Sequence, residues 1–61
     1  MVRYINFKGQ SGQVETVDQL DSKDFATAKE FRTELRRLKS EYNLAFGGGC
    51  YVSQRACKDW N

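Results

Sequence analysis

The stretch that decides the fold is Thr27 to Tyr42, TAKEFRTELRRLKSEY. It opens on T-x-x-E, a capping box: the Thr27 hydroxyl can accept from the Glu30 amide while the Glu30 carboxylate reaches back. A helix is therefore predicted to start at Ala28, with Asp21 or Ser22 as the lesser alternative for the cap. At about 100° per residue, Ala28, Phe31, Leu35, Leu38 and Tyr42 fall within an arc of about 80°, the spacing of a buried face. Asn43 is the predicted stop. Leu44-Ala45-Phe46 then reads as an apolar anchor before a flexible turn, Gly47-Gly48-Gly49.

Toward the N-terminus, two β-rich runs, Val2 to Phe7 and Gln13 to Leu20, flank Gly9-Gln10-Ser11-Gly12, the pattern of a hairpin. The alternation is imperfect, because Arg3 shares a face with Ile5 and Phe7. That end of the face must reach solvent or meet a carboxylate such as Glu15. Asp21-Ser22-Lys23-Asp24 breaks the strand pattern. Toward the C-terminus, Cys50 to Cys57, CYVSQRAC, is a third strand candidate with Tyr51 and Val52 as its best β-formers. Trp60, close to the end, is expected to fold back over the sheet edge.

The order strand, strand, helix, strand predicts an α+β two-layer fold, a three-stranded antiparallel sheet packed on one helix. The third strand can pair beside the first or the second, and a hairpin plus helix is the fallback. At 61 residues the chain makes a single small domain. It buries roughly 60% of the surface exposed on unfolding, so each of its aromatic side chains counts. No apolar run approaches the length that spans a bilayer, and the N-terminus lacks the pattern of a secretion signal. A cytoplasmic protein is expected. Two cysteines fit that reading, since small secreted domains are usually disulfide-dense. On a continuous strand, Cys50 and Cys57 would stand about 24 Å apart. A disulfide needs about 5.5 Å between Cα atoms, so two free thiols are expected.

Charge is sorted by face along the helix. Lys29, Arg32, Arg36 and Lys39 fill a second arc of about 80° beside the core face, while Glu30, Glu34, Arg37 and Glu41 lie on the other flank. Arg37 has Glu34 at i−3 and Glu41 at i+4 and is expected to pair internally. The helix also carries the whole net charge of +2, since the cations elsewhere cancel against carboxylates. Such a stripe has three readings. Long stems can simply cover the edge of the core with their heads in water. The stripe can meet an acidic surface of a protein partner, or it can bind nucleic-acid phosphates. The candidate binding residues are Lys29, Arg32, Arg36 and Lys39 with Tyr51, Ser53 and Arg55 of the third strand. For nucleic acid, Tyr51 or Trp60 would stack on bases.

Catalysis is not expected. Histidine is absent, and two cysteines do not complete a zinc site. GGGC lacks the Lys and helix of a phosphate-binding loop. Glu15, Asp18, Asp21 and Asp24 are spread along a strand and loop, so solvated charge explains them better than chemistry. Cys57, between Arg55 and Lys58, is the one thiol candidate, and an idle thiol is the plainer reading. No cofactor and no metal are implied.

YINFKGQSGQVETVD, the helix run ending EYNLAF, and YVSQRACKDW together resemble a group of small proteins of bacteriophages and mobile elements with no assigned activity. The resemblance covers nearly the whole chain and implies a context rather than a mechanism. The resemblance implies stoichiometric binding, the common mode of such small proteins, to a host enzyme, a defence complex or a nucleic acid, and an inhibitor of host defence such as an anti-CRISPR protein belongs to that class. The expectation is a non-enzymatic interaction module, with a nucleic-acid-binding regulator as the alternative. Self-association through an open sheet edge is a further route.

Overall fold

The computed structural model describes residues 1–58 and Trp60; Asp59 and Asn61 lie outside the described residues. Strands β1 (Val2–Lys8) and β2 (Val14–Asp21), helix α1 (Ala28–Phe46) and strand β3 (Cys50–Ser53) follow one another. They form a small α+β fold in which α1 packs on a three-stranded antiparallel sheet of order β2-β1-β3. The third strand thus pairs beside the first.

The hairpin turn closes where the sequence places it, with Gly12 N donating to Gly9 O (3.0 Å) and Gly9 N donating to Gln13 O (2.8 Å). Gly12 takes φ 87°, a conformation that costs other residues strain. In β2 the register slips between Ile5 and Asn6: Ile5 faces Asp18, but Asn6 faces Thr16. The extra residue is Val17. Two residues that regular alternation would put on one face are therefore sent to opposite faces. Asp18 turns toward the helix, where its Oδ2 accepts from the Tyr42 hydroxyl at 2.8 Å. Thr16 turns to the far face and donates to Asn6 Oδ1 at 2.6 Å.

The α1 cap is the predicted one, with Glu30 N donating to Thr27 Oγ1 at 3.1 Å. Asp21 instead caps a separate 3-10 turn, Ser22–Asp24, by accepting from Lys23 N. Asn43 does not end the helix. The backbone stays helical to Phe46, and Gly47 is the left-handed cap at φ 78°. The extra turn is stabilised by stacking of Phe46 on Phe7 and Tyr42, with ring centroids 4.7 and 6.1 Å apart. The Asn43 side chain serves a different end, its Oδ1 accepting from Cys50 N at 2.8 Å and fixing the start of β3.

Two further expectations need correction. Ala28 is exposed rather than core, because the first turn of α1 borders an open cavity that Met1, Arg3 and Phe25 also line; among the described residues, Ile5 and Phe31 are the buried apolar side chains. The third strand also stops at Ser53 rather than reaching Cys57. Ser53 Oγ accepts from Asn6 Nδ2 and donates to the Arg55 carbonyl, both at 2.6 Å, which bends the chain off the sheet edge. The chain then crosses the face opposite the helix, where Cys57 N donates to Thr16 Oγ1 (2.7 Å) and Trp60 Nε1 to Gln19 Oε1 (2.8 Å). Trp60 thus folds back onto the edge strand β2. Asn6, only 3% exposed, is covered by this crossing segment. Both thiols are free, but a continuous strand is not what separates them.

Candidate functional site

The site follows from the connection between β2 and β3. These two strands run parallel on either side of β1, so α1 is the crossover that joins them. One helix flank, Lys29, Arg32, Arg36 and Lys39, shares its arc with Asn43, whose side chain reaches the start of β3, so this flank lies toward the β3 side of the molecule. The Asn43–Cys50 hydrogen bond marks the same flank at the other end of the helix.

Lys29, Arg32 and Arg36 are exposed and Lys39 is half-buried. Among the described residues none of the four has a carboxylate within ion-pairing distance. The opposite flank is different. Arg37 Nε donates to Glu34 Oε1 at 2.9 Å, and its two terminal nitrogens reach Glu34 and Glu41. The hydrogen bond from Arg37 holds the Glu34 carboxyl below its usual range, and the same bond holds the guanidinium above its ordinary value. Arg37 is satisfied within the helix, whereas among the described residues the four cations beside the sheet have no carboxylate partner.

The third-strand residues divide. The β3 backbone lies on the basic side, but Tyr51 pairs with Asn6 and Ser53 with Tyr4, so both side chains project from the face away from α1. Ser53 is occupied by its bonds to Asn6 and Arg55. Tyr51 is 41% exposed, and Arg55 is exposed in the segment leaving the sheet. Tyr51 and Ser53 are therefore not brought onto the helix stripe.

Sequence reasoning missed a groove. Because β3 pairs only with Tyr4 to Phe7, among the described residues no strand pairs with the N-terminal end of β1 on that side. Above it lies a cavity of about 570 Å³ with Phe25, Phe31 and Leu35 in its lining and Arg3 and Arg32 among its polar groups. Phe25 and Phe31 meet edge to face, ring centroids 5.8 Å apart. Arg3 does not reach Glu15, which sits at the other end of β1 opposite Phe7. Its Nη1 instead donates to the Val2 carbonyl at 3.0 Å, on the edge left open by β3. The one sequence clue to the groove was a cation on the apolar face of β1.

The acidic residues Asp18 and Asp21 are engaged in the fold, Asp18 with Tyr42 and Asp21 with Lys23 N and the N-terminal ammonium. Burial pushes the Cys50 thiol up, away from the reactive thiolate. No helix among the described residues is long and apolar enough to cross a membrane. No protein family, curated protein or solved structure matches the chain.

Proposed function

We propose that this protein is a non-enzymatic interaction module that binds an acidic surface of a partner protein through the β3 side of the molecule. The observation that carries the reading is the flank of Lys29, Arg32, Arg36 and Lys39, unpaired among the described residues while neighbouring Arg37 is doubly paired. Four cations left without internal partners beside an apolar groove suit a partner that brings both carboxylates and apolar contact. The resemblance to small phage and mobile-element proteins points to a host protein as that partner, an enzyme of host defence included. A cytoplasmic setting goes with this reading.

The apolar groove also favours protein over nucleic acid, since phosphate binding needs cations but no apolar floor. The test is an Arg32→Glu/Arg36→Glu double variant. Both side chains are exposed, so the variant is expected to fold with a stability change within about 0.5 kcal/mol. Proteins captured by the wild type and lost by the folded variant support the reading. Tight binding to DNA or RNA that falls steeply with salt and vanishes in the variant would instead assign the stripe to phosphates.

A further inference from the structure

We infer that the groove where β3 stops short receives a short linear segment of the partner, one large apolar side chain flanked by acidic residues. This deepens the protein-partner reading and rests on it. Three observations lead to this occupant.

The first is the floor. Phe25, Phe31 and Leu35 line a cavity of about 570 Å³, within the range of sites that take a small ligand. A phosphate backbone would leave that floor wet; an aromatic or large aliphatic side chain would fill it. The second is the charge of the rim. Arg3 enters from the sheet and Arg32 from the helix, and among the described residues neither is paired with a carboxylate. Thr27 and Ala28 add the positive end of the α1 dipole to the same rim. Two guanidiniums on opposite walls suit carboxylates on either side of the anchor, each able to take a fork of N–H donors.

The third is the open edge of β1. The Lys8–Gly49 hydrogen bond sets the β1–β3 ladder, and alternation along it turns the Val2 N–H and C=O toward the vacant side. The Arg3 guanidinium covers the Val2 carbonyl, supplying a donor where a strand would supply a backbone amide. An extended segment lying in line with β3 would meet the Val2 amide and release Arg3 to bind its carboxylates.

The test is a titration of the ¹⁵N-labelled full chain with three N-acetylated peptide amides: Gly-Asp-Phe-Asp-Gly, its Phe-to-Gly counterpart and its Asp-to-Asn counterpart. The first should give saturable shifts centred on Val2, Arg3, Phe31 and Arg32, with Kd on the order of 0.1–1 mM for so small a contact. Each of Arg3→Gln and Arg32→Gln should weaken it by about tenfold while the remaining spectrum stays folded. The other two peptides should bind much more weakly. Equal binding of both acidic peptides, with shifts confined to Arg36 and Lys39, would overturn the groove and leave the acidic-partner reading standing. No response to either acidic peptide at millimolar concentration would overturn both. Stronger, salt-sensitive shifts at the same residues from a short single-stranded DNA would overturn the inference in favour of phosphate binding.

Discussion

Replacing Asn6 by Ala tests the polar centre of the far sheet face. The Asn6 amide is 3% exposed and makes two side-chain hydrogen bonds, donating to Ser53 Oγ and accepting from Thr16 Oγ1. Each is a neutral bond with a net value of about 1 kcal/mol. Truncation also strands the Thr16 hydroxyl proton and a Ser53 lone pair under the crossing segment, so a loss of about 2–3 kcal/mol is expected. A domain of this length holds roughly 3–9 kcal/mol in all, so the change would be plain in urea titration. Position matters as much as size. Thr16 also accepts from Cys57 N, so freeing its hydroxyl should loosen the C-terminal crossing and speed exchange of the Cys57 amide selectively. A loss below about 0.5 kcal/mol, the range of a neutral surface substitution, or unchanged exchange at Cys57, would refute the network as the device that holds that segment down.

The remaining predictions concern turns, a cap and a titration. Gly48→Ala meets open space at φ +107° and should cost about 1–2 kcal/mol for the backbone conformation. Gly49→Ala should cost about 1 kcal/mol or more beyond that, because its Cβ would sit 2.7 Å from the Lys8 carbonyl oxygen; equal thermal shifts for the two would deny the close approach. Thr27→Ala should lose about 1 kcal/mol of stability, whereas Thr27→Asp should retain most of it, as read by thermal melts. The hydrogen bond to Asp18 pushes the Tyr42 phenol above its ordinary value of 10.0. A raised folded pKa gives stability that is whole below pH 10 and lost as pH climbs through the folded value. Denaturation should therefore steepen in the wild type from about pH 10 upward, and flatten in Tyr42→Phe.

The local elements were legible because they are encoded locally. The T-x-x-E cap set the start of α1, the 3.6-residue spacing of Phe31, Leu35, Leu38 and Tyr42 set its inward face, and the glycine-bounded turn set the hairpin. Charge sorting was legible for the same reason: the pairing of Arg37 with Glu34 and Glu41, and the lack of a carboxylate within the arc of Lys29, Arg32, Arg36 and Lys39, follow from residues a single helical turn apart. The helix end was misread because Asn43 carries two possible messages. Its amide can stop a helix, but the stacking of Phe46 on Phe7, a contact across the whole fold, kept the backbone helical and left the amide to anchor Cys50.

What only the tertiary structure decided comes from contacts distant in sequence. The bulge at Val17 is invisible in a strand pattern, yet it splits Thr16 from Asp18 and lets one serve the far face and the other the helix. Ser53 ends β3 through a partner, Asn6, that the strand sequence does not mention, and that early end both covers the far face and opens the groove beneath Arg32. The sequence by itself determined a capped helix with a carboxylate-free basic flank beside a small antiparallel sheet, because propensity and side-chain spacing act within a few residues. Which strand lies beneath that flank, and that Arg3 joins Arg32 there, was decided by a crossover and a shortened edge strand, where long-range pairing outweighs local preference.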